Sequence, residues 1–371
     1  MLNALFPLLL IVFFLHGIFA SGFIPILNHV LGTDASWAFA VYFGGLLLGQ
    51  VAIYFFGWLS NKRWHLTFYE IVFGFSLILM GYLPPDWLVL GRGIEGLAGG
   101  LATPLLFAHM IHAPSKMSMA ERIVRYNAVY ALGYVLGPLI LESTMQMMTY
   151  RVCLLLFGIV FIVLILHLGS LLPELDEPAP HTLTFRSLFS GTSWFEKFYS
   201  LFFAKAFYGF LLSFIASFAM VYFGGWPISV LTVSLAVIFV FGQKLGERTL
   251  HRLYKRGLEI ILPLSIALTM LLFWATEWRL LLFVAALQHA YLLFIAFINF
   301  TTQISSGREF ALFNSISDPG MFLGALLAGL GLKATWVLLA LACLPLLYWR
   351  EWPRLRPPAA ALAAEAADGQ A

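Results

Sequence analysis

The chain has 371 residues, of which 61% are hydrophobic and 11% are charged, with a formal net charge of +3. Soluble domains carry about 25% charged residues, so this composition excludes a soluble globular protein. The apolar residues form long blocks, each near the ~20 residues that cross a ~30 Å hydrocarbon core. They do not alternate with polar residues as barrel strands do, so the sequence predicts an all-α integral membrane protein.

Twelve apolar blocks are predicted to be transmembrane helices, called spans one to twelve below. In chain order they cover residues 4–27, 36–59, 66–84, 88–111, 124–142, 151–172, 196–222, 228–243, 258–275, 279–300, 310–331 and 334–349. The longest polar segment follows span six. It predicts four regions: an N-terminal six-helix bundle (1–172), a cytoplasmic linker (173–195), a C-terminal six-helix bundle (196–349) and a low-complexity cytoplasmic tail (350–371).

Basic residues predict the orientation, because cytoplasmic loops are enriched in lysine and arginine. With the N-terminus inside, sixteen of them lie in the inner loops and tail: Lys62, Arg63, Lys116, Arg122, Arg125, Arg186, Lys197, Lys244, Arg248, Arg252, Lys255, Arg256, Arg308, Arg350, Arg354 and Arg356. Three lie in the outer loops: Arg151, Arg279 and Lys333. The bias predicts cytoplasmic termini in a multi-pass protein of the plasma or inner membrane, which we expect to be a monomer.

The first three spans contain three notable polar residues. His16 lies midway through span one, and because histidine titrates near neutral pH, it is either a proton carrier or a hydrogen-bonded packing residue. Gln50 in span two either contacts substrate or forms an interhelical hydrogen bond. Glu70, near the cytoplasmic start of span three, is predicted to be an interfacial partner of the basic loops.

Span four contains Arg92 and Glu95 in the run R-G-I-E-G-L-A-G-G. Residues three apart share a helix face, and a charge near the bilayer centre costs at least about 2.5–3.5 kcal/mol. Two interpretations stay open: a cavity-facing arginine that biases the protonation of a nearby acid, or a structural ion pair that fixes helix packing. The glycines beside the pair, Gly96, Gly99 and Gly100, allow another helix to approach closely.

Two ionisable residues stand in spans seven and eleven. Lys205 either binds an anionic substrate, pairs with an acid, or extends to the cytoplasmic interface. Asp318 follows Asn314 by four residues, so the two share a helix face. Asp318-Pro319-Gly320 is predicted to kink or unwind the helix, which makes Asp318 either a proton or substrate site or a helix-start cap.

Span ten supplies further candidate substrate contacts. Gln288 and Asn299 share one helix face, where they either bind substrate or form interhelical hydrogen bonds.

The two halves show internal similarity. Sliding the chain by 187 residues places Y126-N-A-V-Y-A-L-G-Y-V-L-G137 on F313-N-S-I-S-D-P-G-M-F-L-G324. The pairs that match include Gly133 with Gly320 and Gly137 with Gly324. Six-span halves in the same orientation indicate a parallel repeat about an axis along the membrane normal.

These features resemble the major facilitator superfamily over about residues 4–349. The segment G57-W-L-S-N-K-R-W-H65 is similar to that family's loop between spans two and three, G-x-L-a-D-r-x-G-r-k, with Gly57, Lys62 and Arg63 matching and Asn61 in place of the aspartate. The resemblance implies a cytoplasmic gating latch here, weaker or built differently without the acid.

Two more motifs carry the resemblance. R92-G-I-E-G-L-A-G99 is similar to the family's span-four motif R-x-x-q-G-x-g, with Glu95 at the glutamine position. Gly133, Gly137 and Pro138 match the span-five motif g-x-x-x-G-P-x-x-G-G, which is seen mainly in exporters that exchange substrate for protons; Leu141 and Glu142 replace its closing glycines. The resemblance implies a twelve-helix fold of two six-helix bundles.

The sequence predicts a secondary transporter that moves a small organic molecule by alternating access, with proton-coupled efflux favoured. No phosphate loop of the form G-x-x-x-x-G-K-[ST] is present, so ATP-driven transport is not expected, and no enzyme motif, metal set or cofactor is predicted. Arg92, Glu95, Asp318 and His16 are the candidates for proton coupling; Lys205, Gln288, Asn299, Asn314 and Gln50 are those for substrate binding. Nutrient uptake by symport or facilitated diffusion, and a non-transporting sensor or assembly protein, are the alternatives.

Overall fold

The computed structural model describes residues 5–60, 63–113, 117, 119–174, 202, 205–206, 209–210, 213, 237 and 307–329. Within these residues lie seven long α-helices: α1 (Leu5–Leu31), α2 (Ala35–Phe55), α3 (Arg63–Tyr82), α4 (Leu88–His112), α5 (Met119–Met147), α6 (Tyr150–Leu171) and α7 (Gly307–Ala328). The first six correspond to predicted spans one to six, and α7 corresponds to span eleven. Phe202, Lys205, Ala206, Gly209, Phe210 and Ser213 are also helical and fall in predicted span seven.

Several helices extend past the apolar blocks that predicted them. α1 continues to Leu31, beyond the predicted end at residue 27, and α5 spans Met119–Met147 instead of 124–142. The internal hydrogen bonds of a helix do not end where hydrophobicity ends, so polar residues at the membrane surface continue it. Six stretches in the described chain are long and apolar enough to cross a membrane, the first of them covering α1 and α2 together.

Helix α6 shows how the described bundle presents its outer surface. Its exposed residues are large and apolar and follow the helical repeat: Val152, Leu156, Ile159, Val163 and Leu166. Its opposite face buries Leu154, Phe161 and Ile165, and the helix packs against α3. An apolar stripe exposed to the surroundings is what a lipid-facing helix requires.

The packing of α1 against α5 depends on glycine and proline. A side chain at Gly133 would overlap the carbonyl oxygen of Phe14, so only glycine allows this approach. Pro138 lacks a backbone N–H, which leaves the carbonyl of Tyr134 without its helical partner. The Ser21 hydroxyl on α1 donates to that carbonyl at 2.6 Å. The helix therefore keeps its proline because its neighbour satisfies the freed oxygen.

Helix α7 repeats this arrangement against predicted span seven. A side chain at Gly320 would overlap the carbonyl oxygen of Phe202, and one at Gly324 would overlap that of Ala206. These glycines are the matches of Gly133 and Gly137 in the sequence repeat, and Gly137 contacts Ile18 on α1 in the same way. The close glycine contacts between α1 and α5 therefore recur between span seven and α7, as the internal similarity predicts.

Helices α2 and α7 run antiparallel along one another. Ser36 lies near Gly329, and Gly44 lies opposite Phe322. At the other end, which is the predicted cytoplasmic end, Arg308 Nε donates to the Tyr54 carbonyl at 2.8 Å. The spans that form the N-terminal bundle thus contact span eleven over its described length.

A second contact closes the same end between α4 and α7. The rings of Phe107 and Phe310 stack with centroids 4.1 Å apart and an interplanar angle of 11°. Gly307 lies against the Pro104 carbonyl, 2.6 Å from the position that a side-chain carbon would take. The predicted cytoplasmic ends of these helices are therefore in direct contact.

Of the kink or unwinding predicted at Asp318-Pro319-Gly320, unwinding is excluded. α7 is helical through Pro319, and Asp318 is buried within it. The helix-start cap is excluded for the same reason, because the helix begins eleven residues earlier, at Gly307. Asp318 is therefore a membrane-depth carboxylate on a continuous helix.

Arg122 has a structural role that its loop position did not predict. It is buried, and its Nη1 donates to the carbonyls of Ile111 and Ala113, both at 2.6 Å. These carbonyls lie at the C-terminal end of α4, where helix oxygens lack internal partners. Arg122 therefore caps α4 and fixes the turn into α5.

Candidate functional site

Arg92 and Glu95 form an ion pair inside the bundle. Both side chains are fully buried, and Arg92 Nη1 donates to Glu95 Oε2. The pair lies on the face of α4 that meets α2, where Gly96 packs directly on the backbone of Tyr42. Its burial makes the ionic interaction strong and makes the loss of either partner costly.

Aromatic rings enclose the guanidinium group of Arg92. Its central carbon lies 4.2 Å from the Phe23 ring centroid and 4.1 Å from that of Tyr42, with Phe39 at 5.5 Å. Cation–π contacts of this kind stabilise a cation more strongly when it is desolvated. Three aromatic side chains from α1 and α2 therefore hold the arginine in place.

Lys205 and Asp318 form a second ion pair, between predicted span seven and α7. The Lys205 ammonium also donates to Asn314 Oδ1 at 3.3 Å and lies 5.8 Å from the Phe313 ring centroid. Ser317 Oγ lies 3.4 Å from Asp318 Oδ1. Of the three interpretations of Lys205, the structure therefore supports pairing with an acid.

The two ion pairs lie near the same tyrosine side chains. Tyr42 on α2 lies within electrostatic range of both Glu95 and Asp318. Tyr126 and Tyr130 on α5 lie within electrostatic range of Asp318. Groups from α2, α4, α5 and α7 therefore meet in one polar region between the N-terminal spans and span eleven.

His16 pairs with Glu70 in a third buried site. His16 Nε2 lies 3.0 Å from Glu70 Oε2 and 3.1 Å from Oε1. Glu70 has no exposed surface, so its predicted interfacial position is wrong. Glu70 lies on the face of α3 that points toward α1. There the imidazole of His16 provides the hydrogen-bonding partner that a buried carboxylate requires.

The remaining candidate residues have different outcomes. Gln50 is buried, and its Oε1 has no hydrogen-bond partner among the residues that the structure describes. Gly57 begins a 3₁₀ turn, and Arg63 begins α3. Gln288, Asn299, Asn61 and Lys62 lie outside the described residues. In the described part of the chain, no three His, Cys, Asp or Glu side chains are grouped to hold a metal ion.

Sequence reasoning missed two parts of this region. Glu70 stands only a few residues into its span, which predicts an interfacial position, and no periodic signal in the sequence distinguishes its helix face. The tyrosines are three among many aromatic residues, since the chain has 14 Tyr and 36 Phe. Only the packing of α2 and α5 against α7 brings Tyr42, Tyr126 and Tyr130 near Asp318.

Comparison with known structures agrees with this architecture. Two similar solved structures are crystal structures of a bacterial homolog to the human lysosomal transporter Spinster, one inward-facing and occupied, the other inward-facing and unoccupied. The first has a TM-score of 0.64 and 18% identity and covers 88% of this chain and 81% of its own. The second has a TM-score of 0.63 and 19% identity and covers 89% and 82%. Identities this low show a shared fold.

Sequence comparison identifies the family. No curated protein matches the chain, but a model of the Major Facilitator Superfamily matches residues 5–253, which is more than half of its length. Members of this family are secondary transporters of small molecules in lipid bilayers, not enzymes. Because this model covers more than half of the chain, the chain belongs to the Major Facilitator Superfamily.

Proposed function

We propose that this protein is a proton-coupled transporter that exports a small organic molecule across the plasma or inner membrane. Two six-helix halves, residues 1–172 and 196–349, rock about the central polar region and open it to one side at a time. The protein works as a monomer with both termini in the cytoplasm.

The observation that carries the proposal is a buried ion pair on each side of the central region. Arg92–Glu95 lies on α4, and Lys205–Asp318 joins span seven to α7. Buried charge is costly in a bilayer and is typical of substrate pathways and proton relays. A non-transporting sensor on this fold would not require it.

Each pair can exchange a proton for another interaction. A proton on Asp318 releases the Lys205 ammonium, and a proton on Glu95 releases Arg92 Nη1. In an antiporter, substrate and proton compete, and we assign this competition to Asp318: the ionised acid holds the substrate-binding arrangement, and its protonation releases it. Arg308 and the Phe107–Phe310 stack form the contact that must separate when the predicted cytoplasmic end opens.

Transport by purified protein in proteoliposomes tests this function. A substrate is first found by screening for thermal stabilisation, and its efflux is then measured with and without an imposed pH gradient. We expect the gradient to drive transport and Asp318→Asn to abolish the coupling. Transport that ignores the gradient, with Asp318→Asn working normally, would show that the proposal is wrong.

Uptake by proton symport is the second candidate. Glu95 occupies one nitrogen of Arg92, so a proton on Glu95 leaves the arginine charge uncompensated and favours an anion beside it. Proton and anionic substrate then strengthen each other's binding, which is the linkage that symport needs. The pH dependence of substrate affinity separates the two: antiport requires weaker binding at low pH, symport stronger binding.

A further inference from the structure

One edge of the Arg92 guanidinium carries no hydrogen bond. Among the described residues, neither Nε nor Nη2 has a partner, although the side chain is fully buried. The Nε–H and one Nη2–H lie on the same side of the planar group, whereas Nη1, the nitrogen bonded to Glu95, lies on the other. The group therefore presents two parallel donors that its own ion pair leaves unused.

The rest of the arginine is already occupied. Phe23 and Tyr42 lie 4.2 and 4.1 Å from its central carbon, as cation–π contacts over the guanidinium, and Glu95 Oε2 accepts from Nη1. A buried donor without a partner is destabilising, and more so when it carries a charge. Two such donors on one buried cation call for an acceptor that is present only part of the time.

Geometry selects the kind of acceptor. Two parallel N–H groups on one edge of a guanidinium match the two oxygens of a carboxylate or phosphate and form a bidentate pair. Lys205 is less suited to this role, because its ammonium already has two acceptors, Asp318 Oδ1 and Asn314 Oδ1. Of Arg92 and Lys205, Arg92 is therefore the better oxyanion donor.

We propose that the Nε–Nη2 edge of Arg92 binds the carboxylate or phosphate group of the transported molecule, which is therefore a small organic anion or zwitterion. Phe23 and Tyr42 flank the bound group, and Glu95 holds the guanidinium in register from its other side. The anion enters when the two halves separate, since Arg92 is enclosed in the closed arrangement described here. This inference rests on the proposed transport function for its biological role.

Three titratable groups lie near this site. Glu95 bonds the guanidinium directly, Asp318 lies within electrostatic range of Tyr42, and His16 lies within electrostatic range of Glu95. The negative charge of Glu95 disfavours an anion unless arginine compensates it. Removing the Glu95 charge should therefore strengthen oxyanion binding, and removing the arginine should abolish it.

Binding of small oxyanions to the full-length protein in lipid nanodiscs tests the assignment. Sodium acetate and inorganic phosphate are titrated against sodium chloride at matched ionic strength, and thermal unfolding is recorded. We expect a saturable rise in Tm of about 2 °C or more with the oxyanions. The rise should vanish in Arg92→Gln and weaken in Arg92→Lys, since lysine lacks the two-donor edge.

Controls keep general salt effects apart from binding. Arg151→Gln, which changes an exposed arginine at the start of α6, should keep the full response, and Glu95→Gln should bind several-fold more tightly. Equal shifts in the unaltered protein and Arg92→Gln, or no response to oxyanions beyond that to chloride, would overturn the assignment.

A second readout avoids variants that fail to fold. In the unaltered protein with ¹⁵N-labelled arginine side chains, acetate should shift one Nε–H resonance that is protected from solvent, and its absence would also overturn the assignment. No pH gradient is used in either measurement. The oxyanion site and proton coupling can therefore fail independently of one another.

Discussion

Asp318 is a buried acid that pairs with one cation on a neighbouring span. Its carboxylate contacts the Lys205 ammonium between predicted span seven and α7, with only 3% of its side chain exposed. Pairs of this kind are not strong stabilisers when compared with apolar replacements, but removing one partner leaves an uncompensated charge. Removing one of the two residues should therefore destabilise the protein more than removing both.

Asp318→Asn and Lys205→Gln should each lower the free energy of unfolding by about 3–5 kcal/mol, because each leaves a buried charge alone. The double variant should be more stable than either single variant. Thermal and denaturant unfolding of all four proteins gives the coupling energy. Additive losses would mean that the two charges are not paired in the folded protein.

Ser21 is a residue whose role comes from a proline on another helix. Its hydroxyl bonds the Tyr134 carbonyl that Pro138 leaves free. Ser21→Ala should lower stability by about 1–3 kcal/mol, the cost of an unsatisfied buried acceptor. Ser170→Ala, an exposed serine on α6, is the matched control and should have little effect. Equal melting temperatures for the two variants would exclude this role.

At the scale of helices, the α2–α4 contact depends on which glycine faces the neighbouring backbone. A side chain at Gly96 would overlap the Tyr42 carbonyl, and one at Gly100 would overlap that of Leu46. Gly99 faces a different direction, and a carbon added there would lie 3.6 Å from Phe73, an ordinary contact. Of these three positions, Gly96 and Gly100 are therefore essential for the α2–α4 contact, and Gly99 is not.

Gly96→Ala and Gly100→Ala should each separate α2 from α4 and markedly lower the melting temperature. Gly99→Ala should be tolerated or slightly stabilising, because alanine favours helix by up to about 1 kcal/mol over glycine. Thermal unfolding in one detergent compares the three. The prediction fails if Gly99→Ala is as destabilising as its neighbours, since glycine would then be needed for another reason.

At the scale of the whole molecule, the predicted cytoplasmic end is closed by contacts from α7 to α2 and α4. Arg308 reaches the last turn of α2, where its Nε donates to the Tyr54 carbonyl. The family's charge latch lacks its usual acid here, since Asn61 occupies that position. At the same end, Arg308 instead joins α7 to α2 by a hydrogen bond to a backbone carbonyl.

Arg308→Gln should shift the population toward a conformation open at that end. A cysteine replacing Ala108, which packs 3.2 Å from the position of a side-chain carbon at Gly307, reports the opening in a Cys153→Ser, Cys343→Ser background. Its labelling by a membrane-impermeant thiol reagent should become several-fold faster, and only from the cytoplasmic side. Arg151→Gln should leave the rate unchanged. An unaltered labelling rate in Arg308→Gln would show that Arg308 does not hold this end closed.

The sequence by itself determined the class of the protein, its family and most helix positions in the described chain. These follow from local properties: the length of apolar blocks, the spacing of Arg92 and Glu95 on one helix face, and the repeat that joins Gly133 to Gly320. Local spacing also predicted that Asp318 and Asn314 share a face. The block lengths and spacings depend on residues close in the chain, and the repeat is found by comparing two stretches of sequence, so no knowledge of the packing was needed.

Tertiary structure decided the partners. Lys205 could have bound substrate, extended to the interface or paired with an acid, and only the packing of span seven against α7 brings it to Asp318. His16 and Glu70 lie 54 residues apart, and their pairing depends on how α1 and α3 are rotated in the bundle. The unused edge of Arg92 also became visible only when its neighbours were known. A single sequence records the charge of each side chain, but which charges neutralise one another is set by the relative rotation of helices far apart in the chain.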